Sequence, residues 1–180
     1  MEAHTESPRE QRLHAKGKRL RPERGAQLLE MALALPFLLV FVVGLADFGG
    51  AYNVKQKLSN AAREGARFGI SATNLDTTSM SAVRDTVVNY LTNAGLTACN
   101  FSGSPASGKA STFGSGNCVL TIDRANATVT SGGATLVTTK VTLTYPLTWT
   151  FNRIIGLLVP GANPTLPASL TSVAFMKNIS

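Results

Sequence analysis

The side chain with the most conspicuous chemistry in this 180-residue chain is Glu30, the only charge in the 19 residues 28–46. An ionisable group inside an apolar helix is expensive, about 2.5–3.5 kcal/mol for an acid at the centre of a bilayer and less near its surface, so it is a functional candidate by default. The alternative is a carboxylate at the water interface, where it favours the positive end of a helix dipole. Cys99 and Cys118 are the second candidate, either a disulfide or two buried thiols. With no histidine nearby they do not suggest a metal site. Elsewhere the titratable groups are scattered: His4 and His14 lie near the N-terminus, and Asp47, Asp76, Asp85, Asp123 and Glu64 form no acid–base pair. Nucleophile elbow, phosphate-binding glycine loop and metal-ligand spacing are all missing. The pattern argues against an enzyme and implies no cofactor.

The element that must hold Glu30 is the apolar run 28–46. About 20 such residues are needed to cross a ~30 Å hydrocarbon core, so the run is a transmembrane candidate. Pro36 within it would kink rather than abolish a membrane helix, and Gly44 permits close helix approach. Seven Lys or Arg precede the run (Arg9, Arg12, Lys16, Lys18, Arg19, Arg21, Arg24), against Glu2, Glu6, Glu10 and Glu23. Basic residues beside a span bias it to stay inside, which predicts a cytoplasmic N-terminus and an extracytoplasmic C-terminal part. Residues 1–25 have no apolar periodicity and read as disordered. No small-residue cleavage motif closes the run, so it reads as a retained anchor rather than a signal peptide. The chain's net charge of +7 also raises nucleic-acid binding, but a basic leader beside a membrane span accounts for it better. The lipid bilayer is the implied partner.

That topology puts both cysteines in an oxidising compartment and favours a Cys99–Cys118 bridge. After Asp47, the residues Ala51, Val54, Leu58, Ala61, Gly65 and Phe68 form a small-residue stripe at helical spacing, expected to pack on the protein's own sheet, with a partner helix as the alternative and both open to different portions of a long helix. A loop over 71–79 precedes a second helix over 79–93, with Ser79 as N-cap, Gly95 as terminator, and Met80, Val83, Val87, Tyr90 and Leu91 on its apolar face. The Gly/Ser-rich segment 100–117 reads as a loop. Strands are expected over 118–123, 127–130 and 137–145, with a hairpin at 131–134. In the last strand, Val137, Thr139, Val141, Leu143 and Tyr145 alternate with polar residues. The apolar stretch 149–159 is too short to span a membrane and is expected to cover the sheet or form an interaction patch. A final strand is expected over 168–176. Sequons at Asn100, Asn126 and Asn178 bear only on a eukaryotic secretory route. The fold class is α+β: a long N-terminal transmembrane and amphipathic helix packed on a small antiparallel sheet. Its divisions are leader 1–25, transmembrane part 26–46, helical region 47–95 and β-rich region 96–180.

Gly25, four intervening residues and Glu30 before an apolar helix, behind a basic leader, resemble the cleavage site of type IV prepilins. The longer run Arg24-Gly-Ala-Gln-Leu-Leu-Glu-Met-Ala-Leu-Ala-Leu-Pro-Phe-Leu-Leu, with Ala46-Asp-Phe-Gly-Gly-Ala-Tyr52 and Asn60-Ala-Ala-Arg-Glu-Gly-Ala-Arg67, resembles the TadE-like family of minor pseudopilins of Tad pilus systems. Met31 stands where that family more often has an aromatic residue. The resemblance implies a pilin-like fold, a cut between Gly25 and Ala26 by a prepilin peptidase, and an assembly role for Glu30. It implies as partners other pilins and pseudopilins and an inner-membrane pilus platform, at a bacterial cytoplasmic membrane crossed once, possible association with the pilus, and work in assembly, adhesion or secretion.

The chemistry is consistent with those implications. Gly25 has no side chain to obstruct a narrow protease cleft. Cleavage would leave an ammonium on Ala26, which Glu30 of an adjacent subunit could neutralise in low dielectric, fixing axial register. The competing reading is an uncleaved, membrane-anchored extracytoplasmic binding module.

Overall fold

The computed structural model describes residues 22–72, 75–131, 133–158, 161 and 166–178. The chain divides into two compact units, one up to Leu39 and one from Val40 onward. Most of the leader, residues 1–21, lies outside the described residues. The end of it does not read as expected: helix α1 spans Pro22–Ser71, so residues 22–25 are helical rather than disordered. Proline at a first helical position gives up only an N–H that would lack an intrahelical partner anyway, and its fixed φ suits the helix. Pro36 lies inside α1.

In the larger unit, α1 contributes the expected stripe with one change. Ala51, Leu58, Ala61, Ala62 and Ala66 are buried, and Val54 packs at the core's edge, but Phe68 is 38% exposed. The stripe continues by a four-residue step from Gly65 to Gly69, which turns Phe68 outward. Both glycines are there because neighbours come close. A Cβ on Gly65 would collide with Val87 Cγ2, and one on Gly69 would come within 2.8 Å of Thr139 Cγ2. The small-residue face therefore packs against the chain's own second helix and sheet.

Helix α2 spans Thr77–Asn93 and buries Met80, Val83, Val87 and Leu91. Its N-cap is Asp76 rather than Ser79: the Asp76 carboxylate accepts from the Ser79 N–H at 2.7 Å, making Ser79 the third helical residue. The C-terminus closes as sequence suggested. Gly95 has φ +77, its N–H bonds Thr92 O at 3.0 Å, and the Leu96 N–H bonds Leu91 O at 2.8 Å, a Schellman arrangement. Hydrogen bonds from the Ser79 hydroxyl and N–H hold the Asp76 carboxyl below the usual carboxylate range. A depressed folded-state pKa contributes stability that is present above 3.8 and lost as pH falls through the lowered value. Asp76→Ala is therefore expected to lower the melting temperature at pH 7, and the deficit to shrink on titration below pH 4; a deficit unchanged by pH would contradict the assignment.

The sheet is an antiparallel meander in the order β1-β2-β3-β4. β2 (Cys118–Ser131) fuses two expected strands across an irregularity between Asp123 and Ala127, and β3 (Ala134–Pro146) and β4 (Ser169–Lys177) follow. Thr139, Val141, Leu143 and Tyr145 face the core, while Val137 remains 47% exposed. The missed element is β1 (Ala110–Ser115), inside the segment read as a loop; it pairs with β2 through a two-residue turn at Gly116 and Asn117. Gly116, with φ +62, supplies the left-handed conformation that such a tight hairpin needs. Phe113 of β1 is 1% exposed and anchors that strand in the core.

Helix α3 (Thr150–Leu158) departs most from expectation. It does not cover the sheet, because Phe151, Ile154 and Ile155 are absent from the core cluster and its margin. Instead its first turn meets α1: the Phe151 N–H donates to Asp47 Oδ2 at 2.6 Å. A carboxylate supplied by α1 thus satisfies one of the orphan N–H groups at the start of α3.

Candidate functional site

Gly25, Ala26 and Glu30 all lie on the exposed first turns of α1. Among the described residues, no atom outside its chain neighbours and its own helix backbone lies within 4 Å of a Cβ built on Gly25. Ala26 and Glu30 are four residues apart, hence on one helix face and about 6 Å apart along the axis. The residues that follow are apolar and uncovered: Leu29 is 73% and Phe37 74% exposed. By length and composition the helix can cross a membrane, and the most apolar stretch of it is not buried at all. Burying so many large side chains in water-free surroundings is worth about 1.5–3 kcal/mol each, which is the physical demand for a bilayer or for partner helices. A single N-terminal apolar helix of this kind is compatible with a single-pass membrane anchor.

Residues 25–67 match the family of TadE-like proteins. The matched region begins at Gly25 and takes in Glu30, the apolar run and the small-residue stripe of α1 as far as Arg67. The match lies wholly within the first helix, and TadE-like proteins are structural components of Tad pili. Comparison with curated proteins and with solved structures finds no match.

Outside the TadE-like segment, the structure joins Cys99 to Cys118, with Cα atoms 5.4 Å apart. The bridge ties the first half of the α2–β1 connection to the first residue of β2 and encloses β1. Closing a loop of that size stabilises a fold by about 3 kcal/mol on the chain-entropy model. Replacing both cysteines by serine is expected to lower stability by about that amount in a urea titration of the full chain in detergent. A midpoint unchanged from the oxidised protein would show that the hairpin holds without the bridge.

Sequence reasoning missed Arg124. It follows Asp123 at the irregularity in β2, is 2% exposed, and donates from Nε to Gly69 O at 3.1 Å and from Nη2 to Ala72 O at 2.6 Å. A buried cation thus closes the C-terminal end of α1, where helix carbonyls lack partners. Burial lowers the guanidinium pKa from its ordinary value, and Asp76 partly offsets this. Lys57 does the same for α2 from the flank of α1, donating to Ala94 O at 2.8 Å. The cavity beside Arg124 is also lined by Gly69, Leu75, Thr139 and Asn178. Its polar groups serve the fold: the Thr139 hydroxyl donates to Asn178 Oδ1 at 2.8 Å, and Asn178 Nδ2 donates to Arg124 O at 2.9 Å. Among the described residues no cluster of three His, Cys, Asp or Glu could hold a metal ion.

Proposed function

We propose that the chain is a minor pseudopilin of a Tad-type pilus, cut after Gly25 by a prepilin peptidase and retained by α1 in the bacterial cytoplasmic membrane, N-terminus inside. The observation that carries this is the exposed Gly25 at the first matched residue, with Glu30 five positions on and an uncovered apolar helix behind it. In the processed chain, the Ala26 ammonium would sit at the positive end of the helix, an unfavourable place for a cation. Glu30, one turn along, offsets it within the chain. When helices pack in a pilus, the same carboxylate can pair with the ammonium of a neighbour and set axial register. The partners are the peptidase, other pilins and pseudopilins, and the inner-membrane platform; the output is pilus assembly, with adhesion or secretion depending on it.

The test is the mature N-terminus. The chain is recovered from membranes of its native host and its first residue read by mass spectrometry. A chain beginning at Ala26 is the expected result. A chain that keeps its leader overturns the proposal and leaves an uncleaved membrane-anchored binding module, presenting its Thr-rich sheet face outward, as the better account.

A further inference from the structure

Helix α3 is anchored at the place where the apolar run of α1 ends. Its Phe151 N–H donates to Asp47 Oδ2, and the Phe151 ring lies beside Gly44, where an added Cβ would be 3.8 Å from Phe151 Cε2. Asp47 is the first charge after the run, and Gly44 lies within it, three residues or about 4.5 Å back along the axis. Phe151 therefore flanks the final turn of the apolar run. Beside it, Phe41, Val42 and Leu45 of α1 are each more than half exposed. Phe151, Ile154 and Ile155 are only partly covered and belong to no core. Next to them Trp149 meets Phe48 edge-on, ring centroids 5.7 Å apart, and its Nε1–H donates to Pro167 O at 2.7 Å. Arg153 points outward from the same short helix.

On this ground we propose that α3 and Trp149 lie in the boundary between headgroups and acyl chains of the leaflet from which α1 emerges, so that the C-terminal domain rests on the bilayer. The inference rests on the reading that α1 crosses a membrane. Given that, the apolar side of α3 is continuous with the lipid-facing side of α1, and the covering material is already present. Aromatic rings concentrate at that depth because each has an apolar body and tolerates a wet edge, and an exposed arginine there meets phosphate oxygens. An interfacial amphipathic helix sinks about 5–10 Å, which accommodates the Phe151 side chain beside Gly44.

Trp149 is the single tryptophan of the chain and so reports its own depth. The full chain is reconstituted in vesicles of phosphatidylethanolamine and phosphatidylglycerol brominated either high on the acyl chain or at its end, and flotation is recorded on the same samples. The expected result is flotation, with Trp149 quenched about twofold more by the shallow bromines than by the deep ones, as an immersion of ~5–10 Å requires. An Ile154→Asp, Ile155→Asp variant is expected to float and keep its disulfide while losing that contrast. Flotation of the unmodified chain without quenching would overturn the inference and leave the span intact. Emission that follows the protein-to-lipid ratio instead would overturn it in favour of a second copy covering α3. Failure to float would overturn the membrane reading itself, and this inference with it.

Discussion

A Gly25→Leu chain is expected to accumulate with its leader attached, while its domain folds and its disulfide forms as before. The described fold is indifferent to the change, since a Cβ at Gly25 meets no described atom within 4 Å beyond its own helix backbone and chain neighbours. Two effects would oppose the cut, and their sizes separate them. Gly25 lies in the first turns of α1, and a protease needs that backbone extended. Leucine stabilises a helix over glycine by roughly 0.8 kcal/mol, so stiffening alone would slow processing only about fourfold. A side chain that cannot enter the cleft would stop it, and complete loss, read as the ratio of the two masses, is the outcome anticipated. Glu30→Gln, on this account, is cut normally, because the carboxylate acts after cleavage. A Gly25→Leu chain processed at an ordinary rate would remove the peptidase from the proposal.

Arg124→Met is expected to destabilise the sheet-bearing domain by about 2–4 kcal/mol, measured by urea titration of the full chain in detergent. Methionine fills much of the volume but leaves the carbonyls of Gly69 and Ala72 facing a buried apolar group. Each charge-assisted hydrogen bond is worth about 1.5–3 kcal/mol net, and part of that sum is returned because a guanidinium no longer has to be desolvated. Arg124→Lys keeps the charge with a different donor geometry, so it is expected to fall between the two. A loss below about 0.5 kcal/mol, the range of ordinary surface substitutions, would mean that α1 terminates adequately without the cation.

What could be read in advance follows from how local each signal is. The alternation of Val141, Leu143 and Tyr145 with threonines fixes both the strand and its inner face, because period-2 patterning needs no distant partner. The small-residue stripe of α1 was legible for the same reason, up to Gly65; which way it stepped next depended on where the sheet approached, and Gly69 rather than Phe68 faces Thr139. β1 was hidden because its sequence, Ala-Ser-Thr-Phe-Gly-Ser, has weak strand preference, and only pairing with β2 and burial of Phe113 make it a strand. Arg124 looked like an ordinary charge in a polar stretch, since its partners are 52 and 55 residues away. The docking of α3 depends on Asp47, 104 residues from Phe151, and no window along the sequence contains both. The residues proposed for processing, by contrast, all lie within six consecutive positions, Gly25 to Glu30, so their spacing can be read without a distant partner.

The sequence separations just described also set an order of events at synthesis. The inner face of α1 is made early, but what covers it arrives late: Val87, then Thr139 and Val141. The sheet is complete only when β4 pairs with β3, and Lys55 of α1 bonds the Thr171 carbonyl on that last strand. A chain threaded outward from its anchor would thus keep part of that alanine and glycine surface uncovered beside the bilayer until β3 emerged, and the sheet unfinished until β4 followed. Folding that depends on such distant contacts is slow, because loop closure must be met before those contacts contribute. Release from the export channel, rather than helix formation, would then time the appearance of a competent subunit.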